Sequence, residues 1–162
     1  MRVNQSIVVN APAEMVWEYI NEPDHYLDFM AGVTRWDVEG ERRSGLGARY
    51  RMLIRVGSAE VGGLIEIVEE IPGRDLAWTS VTGIDQRGRW RLRERRPGVT
   101  AVELRFSYGV AGSGIPGWVA ELIAAPILGR RLRASLLELK RRVEHQRRLR
   151  DAQRAPAATP AA

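Results

Sequence analysis

Between residues 33 and 110 apolar and polar side chains alternate with period two, which suits strands with two unlike faces and does not suit a helix. The stretch 87–93 shows it most sharply, where Trp90 and Leu92 alternate with Arg87, Arg89, Arg91 and Arg93. In 49–56, Tyr50, Met52, Ile54 and Val56 oppose Arg49, Arg51 and Arg55; in 102–108, Val102, Leu104, Phe106 and Tyr108 oppose Glu103 and Arg105. Gly, Pro, Asp and Asn interrupt the pattern at intervals. Strands are therefore expected at 33–40, 45–56, 60–71, 74–82, 86–96 and 99–110, with turns at Glu41–Ser44, Gly57-Ser58, Pro72-Gly73, Gly83–Asp85 and Pro97-Gly98. Such a run of hairpins makes an antiparallel sheet with one charged face in water and one apolar face that needs a cover.

The cover lies at the C-terminus. Leu132, Leu136, Leu139 and Val143 follow the spacing of one helical face, and the helical pattern runs from Pro116, in its first turn, to about Leu149. Gly112-Ser113-Gly114 reads as a flexible entry, and Pro126 predicts a kink. Ahead of the sheet, residues 3–9 form a further strand that ends in the helix-start signal Asn10-Ala11-Pro12-Ala13-Glu14. A short helix carrying Val16, Trp17 and Ile20 follows, and Asn21-Glu22-Pro23-Asp24 separates it from a second one carrying Tyr26, Phe29 and Met30. At 162 residues the chain is expected to form one domain over 1–150, followed by a disordered Ala/Pro-rich tail over 151–162.

Composition removes several chemistries. Without cysteine there is no disulfide scaffold, cysteine zinc site or thiol nucleophile. His25 and His145, far apart, offer little to a metal centre or a Ser/His/Asp triad, so no metal and no cofactor is expected. No apolar run approaches a membrane span and the N-terminus MRVNQSIVVN lacks that of a signal peptide, which gives a cytoplasmic reading. Residues 130–154 hold ten basic groups against Glu138, Glu144 and Asp151, so the excess behind the +5 net charge sits at the helix end. Nucleic acid is not expected as a partner, because no aromatics are interleaved there. Weak contact of the basic helix end with an anionic membrane is the partner reading that this charge leaves open.

The segments IVVNAPAEMVWEYINEPDHYLDFM, GLGARYRM, IPGRDLAWTS and RRLRASLLELKRRVE resemble the polyketide cyclase/dehydrase-like branch of the SRPBCC superfamily, which also includes START lipid-transfer domains and the birch-pollen allergen. The resemblance spans residues 3–145. It implies an α+β helix-grip fold: a curved antiparallel seven-stranded sheet wrapped around a long C-terminal helix, with two short helices after the first strand. It also implies a ligand cavity between sheet and helix. Strand parity supplies the lining independently: Trp36, Tyr50, Met52, Ile54, Ile65, Ile67, Trp78, Trp90, Leu92, Leu104, Phe106 and Tyr108 from the sheet, with Trp118 and Leu122 from the start of the helix. Trp78, Trp90 and Tyr108 carry polar tips that are expensive to satisfy in a dry core.

Acid/base chemistry has few places to reside. Glu66 and Glu103 fall on the charged face as partners of arginine, while Asp85 and His25 are the candidates with a path to a cavity mouth. Ser80 and Thr82 share the parity of Trp78 but have no evident base beside them. Gly45-Leu46-Gly47 precedes a strand, and Gly109 to Gly114 lacks the Lys-Ser/Thr ending of a phosphate loop. The expected function is binding of an apolar or amphipathic small molecule, lipid-like or polyketide-like. A cofactor-independent polyketide cyclase or dehydratase and a membrane-associated lipid-binding accessory protein are the alternatives, and oligomeric state is left open.

Overall fold

The computed structural model describes residues 2–108 and 125–154, apart from the side chains of Val56, Tyr108, Ala125 and Pro126. The chain runs β1 (Arg2–Val9), α1 (Ala13–Asn21), a 3-10 turn (Pro23–His25), α2 (Tyr26–Phe29), β2 (Val33–Glu39), β3 (Arg49–Val56), β4 (Ala59–Ile71), β5 (Asp75–Ser80), β6 (Gln86–Arg96), β7 (Val99–Tyr108) and α3 (Ala125–Arg154). The strands form one seven-stranded antiparallel sheet in the order β1-β7-β6-β5-β4-β3-β2, so the N-terminal strand pairs with the last one. This is the helix-grip arrangement that the resemblance implies.

Burial follows the alternation. Trp90, Leu92, Val102 and Leu104 are buried on the concave face, and Leu132, Leu136, Leu139 and Val143 of α3 are buried in the same core. Leaving a large apolar side chain in water instead costs about 1.5–3 kcal/mol each. The outward arginines take carboxylates on their own or neighbouring strands, Arg49 with Glu66, Arg51 with Glu39 and Arg105 with Glu103, while Arg89 reaches past β5 to Glu69 of β4. Burial pushes the Asp75 carboxyl up, but Arg91 and then Arg89 outweigh it and hold the group below the ordinary aspartate value.

The strand expected to start at residue 45 starts at Arg49. Gly45 and Gly47 have φ of 84° and 83°, left-handed values that turn the chain before the ladder begins. Gly47 N–H donates to Ile67 O at 2.8 Å, and Leu46 N–H to the Glu70 carboxylate at 3.0 Å.

The basic end of the helix is docked on the chain. α3 continues to Arg154, past the expected end near Leu149 and into the residues assigned to the tail. Lys140 donates to Val8 O at 2.6 Å, Glu144 accepts Asn10 N–H at 2.8 Å, and Arg147 Nη1 donates to Asn10 O and Gly98 O at 2.8 and 2.9 Å. Arg150 reaches Glu18 of α1 at 3.1 Å. These contacts cap the outer edge of β1 and join it to the β6–β7 hairpin. The expected entry at Gly112-Ser113-Gly114, Pro116 and the rest of the tail over 155–162 lie outside the described residues. Any kink at Pro126 would fall at the first residues of α3 described here. Among the described residues no helix is long and apolar enough to cross a membrane.

Gly88 shows how tightly β6 is packed against Trp78. It lies between Trp78 and Phe106 in register, and a Cβ placed on it would come within 1.9 Å of Trp78 Cζ2. Gly88→Ala is expected to lower stability by about 1–3 kcal/mol in urea denaturation, and Trp78→Leu in the same chain to recover part of it. Arg147→Ala is expected to cost about 1 kcal/mol through the two carbonyls it leaves, where Arg148→Ala, at an exposed position, costs nothing measurable.

Candidate functional site

The concave face is built from side chains of β2 to β7 that point toward α3. At its β2–β3 side, Tyr26 of α2 stacks on Trp36 with ring centroids 3.9 Å apart and an interplanar angle of 6°, and Trp36 stacks in turn on Tyr50 at 5.4 Å. Phe29 joins this ladder to the sheet centre, 5.1 Å from Tyr26 and 6.0 Å from Trp90. On the β5–β7 side, Trp78 and Phe106 lie 6.5 Å apart. Met52 faces Trp36 across β2 and β3, while Ile65 lies beside Tyr50 and Ile67 beside Trp78.

The polar atoms on this surface are mostly donors. Tyr50 Oη donates to Arg43 O at 2.8 Å. Among the described residues, the Nε1–H groups of Trp36, Trp78 and Trp90 are buried without a hydrogen-bond partner. An indole nitrogen can only donate, and an unmet buried donor costs about 1–3 kcal/mol, so each of the three calls for an acceptor beyond the described residues. The Trp90 indole is directed at the Tyr26 hydroxyl without reaching full hydrogen-bond geometry, which places that phenol oxygen on the same surface.

Gln86 adds a carboxamide. It is 4% exposed, shares the concave parity of Gly88 and Trp90, and its Nε2 lies 3.8 Å from Met52 Sδ, a weak acceptor. Of the other buried polar residues, Asp75 belongs to the convex ion pairs, Thr100 donates to Ala11 O, and Ser135 of α3 accepts Ala31 N–H.

The sequence-derived lining can be followed residue by residue. Trp36, Tyr50, Met52, Ile65, Ile67, Trp78, Trp90, Leu92, Leu104 and Phe106 are all buried in the core, and Ile54 is partly buried against it. Tyr108 pairs with Gln86 at the end of β7. Trp118 and Leu122 lie outside the described residues. The two acid/base candidates are placed apart: Asp85 is exposed in the β5–β6 loop, 3.5 Å from Ser80 Oγ, whereas the His25 ring stacks on Tyr19 at 4.0 Å with Nδ1 3.0 Å from Tyr19 O. Thr82 Oγ1 accepts Leu64 N–H at 3.3 Å. Glu66 and Glu103 are on the convex face with arginine partners.

Tyr26, Phe29 and Gln86 were not among the lining expected from sequence. Tyr26 and Phe29 sit on a helix of four residues, too short to show periodicity. Gln86 was legible by parity alone, being two residues before Gly88 and four before Trp90.

A sequence-family model described as polyketide cyclase/dehydrase and lipid transport matches residues 1–144. No functionally curated protein matches the chain in sequence. Among solved structures, the Zhui aromatase/cyclase from Streptomyces sp. R1128 superposes with a TM-score of 0.75 at 19% identity, over 90% of this chain and 94% of that one. A START superfamily protein from Mycobacterium smegmatis does so with a TM-score of 0.69 at 13% identity, over 90% and 98%. The di-domain aromatase/cyclase BexL of the BE-7585A biosynthetic pathway matches at 18% identity and a TM-score of 0.63, over 89% of this chain and 50% of that one.

Two phenols report on this surface. Burial pushes the Tyr50 hydroxyl up to about 12, with Glu22 acting in the same direction and Arg43 against it, and burial raises Tyr26 further. A phenol whose pKa is raised by folding stabilises the fold below its unfolded value near 10, and that contribution is lost as pH rises through the folded value. Stability in urea is therefore expected to fall between about pH 10 and 12, and Tyr50→Phe to make the fall smaller. Tyrosinate absorbance at 295 nm is expected to rise together with unfolding; a full four-tyrosine signal near pH 10 in the folded protein would contradict it.

Proposed function

We propose, because the chain belongs to the polyketide cyclase/dehydrase and lipid transport family, that its concave face encloses an apolar or amphipathic small molecule carrying oxygen acceptors. The observation that carries this reading is the set of buried indole donors of Trp36, Trp78 and Trp90 on one aromatic surface, without a hydrogen-bond partner among the described residues. An aliphatic core would bury its apolar area without them. A flat ligand stacks on the ladder of Tyr26, Trp36 and Tyr50, and its carbonyl or hydroxyl oxygens accept from the indoles and from Gln86.

A second reading, cyclisation or dehydration of a polyketide-like chain without a cofactor, rests on Tyr26 and on the fold shared with the Zhui aromatase/cyclase. The Tyr26 phenol, protonated at neutral pH at its ordinary value of 10 and raised further by burial, can donate to an enolate oxygen as negative charge develops there. The surface would otherwise act by holding the reacting carbons of a flexible chain close together.

Native mass spectrometry of the freshly purified protein, with extraction of any bound compound, identifies the ligand class. A saturable oxygenated aromatic ligand is expected to bind about five- to tenfold more weakly to Trp90→Phe, which keeps a ring and loses the N–H. A hydrocarbon probe is expected to bind both forms alike, and Arg93→Ala, on the opposite face, to change neither. Absence of saturable binding, or equal losses in Trp90→Phe and Arg93→Ala, would overturn the reading.

A further inference from the structure

The convex face of the sheet carries a groove of about 510 Å³, lined by residues of β1, β4, β5, β6 and β7. The register sets its end in one row across the strands: Arg2 opposite Ser107, Ser107 opposite Arg87, and Arg87 opposite Thr79. Neighbouring strands are about 4.8 Å apart, so Arg2 and Arg87 stand on either side of Ser107 within easy reach of a common point above it.

Charge pairing singles out this row. Beside it in the groove, Arg89 is held by Glu69 at 2.5 Å and by Asp75 at 3.3 Å, and Arg105 by Glu103 at 2.9 Å. Glu66, opposite Thr79, is taken by Arg49 at 2.6 Å. The carboxylates nearest the row are thus already engaged. Among the described residues Arg2 and Arg87 have no carboxylate partner, and the hydroxyls of Ser107 and Thr79 have no hydrogen bond. The result is two free guanidinium forks and two free hydroxyls facing one groove.

We infer that this row is a binding site for a phosphate monoester, with the phosphate over Ser107 between Arg2 and Arg87. A phosphate monoester carries close to two negative charges at neutral pH and three terminal acceptor oxygens, which matches two unpaired guanidiniums and the flanking hydroxyl donors. The groove is far larger than a phosphate and falls in the range of small-molecule pockets. Its remaining floor includes Ala77 and Val68, so the ester's organic part lies along an apolar surface next to the charged row. The charged row is on the opposite side of the sheet from the concave aromatic side chains, although Trp78, Gly88 and Phe106 also border the groove, and the assignment does not depend on the reading given for that surface.

Phenyl phosphate, inorganic phosphate and phosphatidate vesicles, each titrated into the intact protein at low salt, test the assignment. Saturable binding of phenyl phosphate is expected, tighter than that of inorganic phosphate. Arg87→Ala and Arg2→Ala are expected to weaken it roughly ten- to hundredfold, and Ser107→Ala several-fold. Arg87→Lys keeps the charge but loses the fork and is expected to fall between. Arg93→Ala serves as the control: Arg93 is exposed on β6, without an ion-pair partner among the described residues and outside the groove, and its loss is expected to change nothing. Binding of an apolar probe to the concave face is expected to be unaffected by Arg87→Ala, which separates the two surfaces. Equal losses in Arg87→Ala and Arg93→Ala would reduce the effect to diffuse charge and overturn the site. So would absence of saturable phenyl phosphate binding, including the case in which phosphatidate vesicles alone bind.

Discussion

The sheet has one face that water accepts and one that it does not, and the docking of α3 on the second is the interaction on which the rest of the structure depends. Four large side chains of the helix, Leu132, Leu136, Leu139 and Val143, are buried against it. At about 1.5–3 kcal/mol for each, their burial is comparable with the whole net stability of an ordinary domain. Hydrophobic contact alone would tolerate sliding of the helix along the sheet. Position is set instead by directional bonds from Lys140, Glu144 and Arg147 to the chain at Val8 and Asn10, with Arg131 donating to Arg55 O at the other end of the helix. These bonds also satisfy backbone groups at the outer edge of β1, which would otherwise be a free sheet edge.

Once the helix is fixed, the concave face becomes a buried surface whose chemistry is decided by which polar atoms were brought along. Tyr50 and Ser135 find partners, whereas the indoles of Trp36, Trp78 and Trp90 find none among the described residues. Phenylalanine would have supplied nearly the same apolar area at no polar cost. Tryptophan at all three positions therefore carries a free-energy cost of about 1–3 kcal/mol per donor that packing does not explain, and acceptors on a bound molecule would offset it.

Much of the fold was legible because period-two alternation and one helical stripe are each carried by many residues. The turns at Gly57-Ser58, Pro72-Gly73 and Pro97-Gly98 fall between the strands they were expected to separate. The errors sit where one long-range contact decides. Alternation cannot show that Gly45 and Gly47 turn left-handed to meet Ile67 and Glu70, and helix periodicity cannot show that Arg147 will find the carbonyls of Asn10 and Gly98. An arginine run at a helix end looks solvated in sequence because its partners lie 49 and 137 residues away. In the same way parity placed Trp36, Trp78 and Trp90 on the concave face but gave no sign of which indoles lacked an acceptor, since that depends on every neighbour at once.

The two faces differ in how far they tolerate change, and β6 shows why. Gln86, Gly88, Trp90 and Leu92 point inward, where Trp78 already lies against Gly88 and a single added methyl group has no room. Arg87, Arg89, Arg91 and Arg93 alternate with them on the outside, and a change there alters charge without altering volume in the core. Selection acting on the outer row is then free to leave an arginine unpaired. The outer face pairs Arg49, Arg51, Arg55, Arg89, Arg91 and Arg105 with carboxylates. A glutamate at position 79 or 107 would have paired Arg87 across the strand at little steric cost, but Thr79 and Ser107 are there instead, and both are able to donate to an anion.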